Sequence, residues 1–347
     1  MTLRANHLTL MRLVLLPLPY FLVYMGTWAR MVALLIFFLL CLTDYLDGLL
    51  ARRQGCTPLG KLLDPIADKI FIVVIMIPLV DLDMLPLWLI WPIFLREFLV
   101  TELRRFLSGG NEQLPVTELA KIKTTLQMIG AGLILLTDTF PDKTVTIAFL
   151  SGALLSTAFL ATGIYWRFGE FSFRMKAALV LLLAGLMVAL IFNAQNAILI
   201  YGLAMLFITL FTGFQYASKG LPACFKQGPM AVARLVSSLS LPLITLALMP
   251  FVSKGANPII TWILSMEFAT QGLDMWSATS QKKDISWIKT RIITPSLITA
   301  LLVLYLTNWN ETSVTLYITA VAAASSIYGI VDFWIHRDLF SSSNNPA

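Results

Sequence analysis

Apolar residues run along this chain in blocks of about twenty, each closed by a short cluster of charged, Gly or Pro residues. Twelve blocks stand out, near 8–26, 31–52, 66–82, 85–106, 122–138, 144–166, 176–193, 197–215, 233–252, 257–278, 290–307 and 313–335. A helix needs about 20 mostly apolar residues to cross a bilayer. The pattern therefore predicts an all-α polytopic membrane protein of about twelve transmembrane helices, with short loops and no soluble domain.

The charges give the helices a direction. With the N-terminus inside, the cytoplasmic ends carry Arg52, Arg53, Lys61, Lys69, Arg104, Arg105, Lys121, Lys123, Arg167, Arg174, Lys176, Lys219, Lys226, Arg234, Lys282, Lys283, Lys289, Arg291 and Arg337. The opposite loops carry Arg30, Lys143 and Lys254. Lys and Arg concentrate on the cytoplasmic side of membrane proteins, so both termini are expected inside. No cleavable leader is expected, because Arg4 and His7 alone precede the first block and no small-residue cleavage site follows it.

Composition sharpens the class. At 58% hydrophobic and 13% charged, the chain is neither disordered nor an ordinary soluble globule. The net charge of +6 is accounted for by orientation and anionic lipid heads, and no nucleic-acid partner is expected. Cys41, Cys56 and Cys224 cannot form a disulfide framework, and Cys56 and Cys224 lack metal-ligand spacing.

Six blocks precede residue 174 and six follow, and anchors recur between them at offsets of 164 to 170. Met11-Arg12 matches Met175-Lys176, Thr43 matches Thr212, and Gly60 matches Gly228. Glu97-Phe98 with Leu103 matches Glu267-Phe268 with Leu273, and Ile122-Lys123-Thr124 matches Ile288-Lys289-Thr290. The expectation is two parallel six-helix repeats, related about an axis along the membrane normal. Residues 1–173 form one unit, 174–340 the other, and 341–347 a polar tail expected to be disordered.

The chemistry is concentrated after the second block. Asp44 and Asp47 share one face of a helix, and Asp64 and Asp68 share one face of the next. Gly55, Pro58 and Gly60 break the chain between them, so the two faces can converge near the cytoplasmic interface. Acids inside a membrane are costly and by default functional. Four gathered carboxylates repel unless cations lie among them, and hard oxygen donors suit Mg²⁺ or Mn²⁺. Two such metals about 4 Å apart can clamp a phosphoryl centre. Gly48 and Ala51 would let a flat ligand approach the backbone, and Arg52 can pair with phosphate oxygens.

The full pattern, Asp44-x2-Asp47-Gly48-x2-Ala51-Arg52-x7-Gly60-x3-Asp64-x3-Asp68, resembles the signature of the CDP-alcohol phosphatidyltransferases, with a seven-residue spacer where many members have eight. The resemblance covers roughly residues 5–172. It implies a six-helix core and transfer of a phosphatidyl group from CDP-diacylglycerol to an alcohol, with release of CMP. It also implies that Asp44, Asp47, Asp64 and Asp68 hold two divalent cations and that Asp68 is the general base. Asp44, Asp47, Gly48, Ala51, Arg52 and Gly60 are implied to bind the CDP-lipid.

Arg96-Glu97-Phe98, Arg104-Arg105, Lys121-Ile-Lys123-Thr124-Thr125 and Leu63-Asp64-Pro65-Ile66-Ala67-Asp68-Lys69 resemble the bacterial phosphatidylglycerophosphate synthase branch of that family. That branch implies glycerol 3-phosphate as acceptor, and Arg104, Lys121 and Lys123, on the same side of the membrane as the four acids, are expected to hold an anionic acceptor. Phosphatidylglycerol, inositol phosphate and serine are the alternative acceptors. In the second unit the equivalents of Asp44 and Asp47 fall near Gly213 and Tyr216, and those of Asp64 and Asp68 near Val232 and Val236. No acid lies between Glu170 and Glu267, so this copy is expected to be catalytically silent. Members of the family commonly form homodimers, and the second copy is expected to take the partner's place.

Several features have plainer readings. Glu97 and Asp332 are expected to be structural intramembrane acids, His7 and His336 interfacial, and Arg105 and Lys61 determinants of topology alone. Twelve helices in two parallel halves also describe major-facilitator transporters. The segment Ala51-Arg52-Arg53-Gln54-Gly55 matches their loop motif poorly and leaves Asp64 and Asp68 unexplained. A non-catalytic lipid-binding relative is the other rival, and metal-dependent CMP release separates all three.

Overall fold

The computed structural model describes residues 5–54, 58–108, 118–169, 173–252, 257–279, 286–307 and 309–337. The polar tail lies outside them. Among the described residues the regular elements are all helices and no strand occurs, as the apolar blocks predict.

The first span is broken into α1 (Ala5–Leu15) and α2 (Pro17–Leu22), because Pro17 has no N–H to continue the helix ladder. Then come α3 (Thr27–Gln54), α4 (Pro58–Asp81), α5 (Leu87–Ser108), α6 (Glu118–Thr139) and α7 (Lys143–Phe168). Asp142 caps α7 through the Thr144 and Val145 amides, and Gly169 closes it in the left-handed conformation at φ 73°. The second half contains α8 (Phe173–Ile191), α9 (Ala194–Lys226), α10 (Pro229–Ala247) and α11 (Asn257–Thr279). Its last two spans are α12 (Ser286–Ile288), continuing through a π-helical turn at Lys289–Ile293 into α13 (Thr294–Thr307), and then α14 (Glu311–Ile335). The wide turn ends two residues before Pro295, whose missing N–H disturbs the regular ladder.

Among the described residues seven helical segments are long and apolar enough to cross a membrane, so the protein is an integral membrane protein. They are α3, α7, α8, α9, α10, the segment Ser286–Thr307 and α14. The other long helices, α4, α5, α6 and α11, carry more charge and occupy the interior. Phe71 and Met76 of α4, Phe94 and Phe98 of α5, Ile134 of α6 and Phe268 of α11 are completely enclosed. Charge is tolerated on these helices because other helices, rather than lipid, surround them.

The two halves are in broad contact. α9 lies along α5 and α6, α4 along α11, and α5 meets both α10 and α11. At the centre Phe98 stacks face to face on Phe268, with ring centroids 3.9 Å apart and planes 2° from parallel. The approach of α9 to α5 depends on missing side chains. A Cβ at Gly213 would lie 2.5 Å from Arg96 Cγ, and one at Gly220 would lie 2.9 Å from Leu103 Cβ. Close backbone approach through small residues is the usual basis of helix packing in lipid.

Gly213→Val is therefore expected to wedge α9 from α5 and destabilise the detergent-solubilised protein by about 1–3 kcal/mol. Gly132→Val, at a helical glycine whose added Cβ would meet nothing within 4 Å, should cost less. Thermal unfolding of the two variants side by side checks this.

Candidate active site

The acids of α3 and α4 meet the polar face of α1. Thr9 and Arg12 are three residues apart, so both side chains lie on one side of α1. Thr9 Oγ1 donates to Asp64 Oδ1 at 3.0 Å. Arg12, completely enclosed, donates through Nη1 to Asp44 Oδ1, and the same nitrogen lies 3.3 Å from Asp68 Oδ1. Arg174, at the head of α8, approaches the other oxygen of Asp44 at 3.3 Å. Asp44 and Asp68 thus meet at one guanidinium, and Asp64 is held one turn away on α1 by Thr9, at the junction of α3 and α4. Gly60 is buried in the first turn of α4.

Asp47, Gly48, Ala51 and Arg52 belong to α3, but their side chains lie outside the described residues, as does that of Lys121 in α6. Among the described residues no three of His, Cys, Asp and Glu stand together as a metal cage. The donor chemistry nevertheless fits hard divalent cations. The acids supply carboxylate oxygens alone, and a positive group, Arg12, already lies between two of them.

The expected acceptor residues are less open than the motif acids. Lys123 is buried with Nζ 2.6 Å from Glu97 Oε1. Arg96 Nη1 lies 3.3 Å from Glu97 Oε2, and Gln127 Nε2 donates to Oε1 at 3.3 Å. This cluster is tied to the second half by Arg96 donating to Thr212 Oγ1 at 3.1 Å and Gln127 donating to Thr209 Oγ1 at 3.0 Å. Arg104 donates to the Tyr216 hydroxyl at 3.1 Å, its guanidinium carbon 4.9 Å from that ring. Glu97 is thus a buried partner of basic groups, in keeping with a structural intramembrane acid.

One expectation is corrected. Arg105 is more than a topology signal. It is buried, 3.4 Å from Glu102 and 3.6 Å from Asp274, and donates to Ser286 Oγ at 3.0 Å. His336, just past the end of α14, is almost fully enclosed by protein, with Nδ1 3.1 Å from Asp332 Oδ1 and its ring edge-on to Trp276. The cause is Asp332 itself, completely buried one turn earlier, which requires a polar neighbour. His7 is exposed. Sequence reasoning also missed Thr9, Arg12 and Arg174 as site residues. The available signal was Arg12, a cation inside an apolar first span.

These features define an integral-membrane helical enzyme with a carboxylate cluster at a helix junction. A sequence model of the family described as CDP-alcohol phosphatidyltransferase matches residues 2–210. The chain belongs to the CDP-alcohol phosphatidyltransferase family and is a transferase. It is 40% identical over 136 residues to the CDP-diacylglycerol–glycerol-3-phosphate 3-phosphatidyltransferase of Rickettsia bellii, covering 38% of this chain and 74% of that protein. The protein of the same name from Bacillus subtilis is 33% identical over 179 residues, covering 47% of this chain and 91% of its own length. No solved structure matches.

Lys123→Met leaves buried Glu97 without its closest cation and is expected to cost about 3–5 kcal/mol of stability. Glu97→Gln combined with Lys123→Met should recover most of the loss. Thermal midpoints of the two single variants and the double variant test this pairing.

Proposed function

We propose that the protein transfers a phosphatidyl group from CDP-diacylglycerol to glycerol 3-phosphate, releasing CMP, at the cytoplasmic face of a bacterial inner membrane. The observation that carries this reading is the meeting of Asp44 and Asp68 at one buried cation, Arg12, with Asp64 tied to Thr9 on the same helix. Family membership and the names of the Rickettsia and Bacillus relatives support the donor and acceptor. The excess of Lys and Arg on one set of helix ends supports the orientation.

Asp44, Asp47, Asp64 and Asp68 would hold two divalent cations, Mg²⁺ or Mn²⁺, which supply charge neutralisation at the phosphoryl centre. Gly48, Ala51, Arg52 and Gly60 bind the CDP-lipid, Arg52 through phosphate oxygens. Asp68 takes the proton from the acceptor hydroxyl on a carboxylate oxygen. The hydroxyl oxygen forms its bond to the β-phosphorus as the bond to CMP breaks. Thr9 and Arg12 hold Asp64, Asp44 and Asp68 in position from α1. Arg104 and Lys121 receive the acceptor phosphate. Lys123 acts with them by fixing Glu97 and the local charge.

Residues 174–340 are read as a silent repeat of residues 1–173 that stands in for a homodimer partner. Two details support this beyond the recurring anchors. The matched phenylalanines Phe98 and Phe268 stack on one another. The matched pairs Glu97–Lys123 and Glu267–Lys289 are both buried ion pairs. The copies have diverged in packing, since α3 lies against α1, α2 and α6 whereas α9 lies along α5 and α6.

The purified chain, given CDP-diacylglycerol with Mg²⁺ or Mn²⁺, should release CMP with glycerol 3-phosphate and much less with inositol phosphate, serine or phosphatidylglycerol. Preference for another acceptor would overturn the substrate assignment. Asp68→Asn should abolish turnover while leaving the fold and CDP-lipid binding largely intact. Lys219→Ala and Lys226→Ala, in the silent copy, should leave turnover within a few-fold. Loss of activity with the fold preserved would instead indicate a second working site.

A further inference from the structure

The two oxygens of the Asp44 carboxylate are held by different arginines in unlike surroundings. Arg12 grips Oδ1 from inside the bundle and is completely enclosed. Arg174 approaches Oδ2 from the edge, and its side chain is 44% exposed. A buried pair of the first kind fixes geometry, because losing either partner strands a charge. An exposed pair of the second kind contributes about 0–1 kcal/mol and is easily exchanged. Stability therefore gives little account of Arg174.

Its position gives a better one. Arg174 opens α8, which is fixed against α6 and α7, and its neighbour Met175 is buried. The guanidinium is thus anchored by its backbone while its charged end stays accessible beside Asp44, within electrostatic reach of Asp64 and Asp68. In the free protein the two arginines offset part of the charge of the three acids. Cations on the carboxylates would compete with Arg174 for Asp44 and would leave its guanidinium at the open edge of the site. A planar guanidinium fork in that position suits a phosphate oxyanion.

Resting on the function read above, we propose that Arg174, supplied by the second half of the chain, is an exchangeable anion-binding residue of the active site, guarding Asp44 in the free protein and pairing with a phosphate oxygen of bound substrate. The phosphate belongs either to the pyrophosphate of the CDP-lipid or to glycerol 3-phosphate. The second half would then be silent in its own right yet contribute a residue to the working site.

The test uses the full-length chain in lipid nanodiscs. Arg174→Ala should raise KM for one of the two substrates by roughly tenfold, the loss expected for a charge-assisted hydrogen bond, with kcat changed by less than about threefold. The substrate whose KM moves identifies the source of the phosphate. Arg174→Lys should recover part of the effect. Mn²⁺ binding to the substrate-free variant, followed by electron paramagnetic resonance, should be unchanged or tighter, because a competing cation has been removed. Lys219→Ala serves as the surface-charge control. Unchanged KM values for both substrates would overturn the inference, as would weaker Mn²⁺ binding with kcat lost at constant KM, which would mark Arg174 as a prop for Asp44. Failure of the unaltered chain to release CMP would remove the underlying function as well, whereas normal turnover with unmoved KM values removes this inference alone.

Discussion

A carboxylate inside a membrane bundle needs a positive or hydrogen-bonding partner within reach, because lipid offers neither. That requirement organises the interior of this protein. Asp44 and Asp68 face Arg12, Glu97 faces Lys123 and Arg96, Glu267 faces Lys289, and Asp332 faces His336. Arg105 lies between Glu102 and Asp274. Many of these contacts join different helices, so satisfying the charge also fixes how the helices sit. Arg12 binds α1 to α3 and α4, Lys123 binds α6 to α5, and Arg105 links α5 to α11.

The same requirement separates inner from outer helices. α4, α5, α6 and α11 carry the charge and are shielded by their neighbours. α3, α7, α8 and α13 turn apolar residues such as Leu35, Phe159, Val180 and Leu306 outward, where a bilayer would cover them. Without a strong hydrophobic drive between helices in lipid, close packing decides the contacts. Gly213 and Gly220 admit the Arg96 and Leu103 side chains of α5, bringing the two polar residues Thr209 and Thr212 to the Glu97 cluster. The junction between the halves is therefore both tightly packed and polar.

At the site the internal cations have a second consequence. Arg12 gathers acids from two helices that would otherwise repel, so the carboxylates are arranged before any ligand arrives. Preorganisation of this kind lowers the cost of binding and of charge development during phosphoryl transfer. The enclosed guanidinium and the accessible one have unlike roles, since burial makes Arg12 a fixed part of the scaffold and exposure leaves Arg174 free to exchange.

Periodic apolar blocks determined the helical class and the boundaries of most spans, since a bilayer imposes its thickness on any sequence that crosses it. The Asp44-to-Asp68 pattern determined the family, because its acids and glycines are spaced by local helix and turn geometry that a linear reading can follow. What the sequence could not supply was the partner of each charge. Arg105 looked like a loop cation, yet it is buried against acids, Asp274 lying far from it in the chain. Thr9 and Arg12 were hidden in an apolar first span, and Arg174 stood among ordinary positive charges at a helix end. Only the tertiary structure brings these residues to the acids, because pairing across helices depends on rotation and packing, which leave no periodic mark on a single strand of sequence.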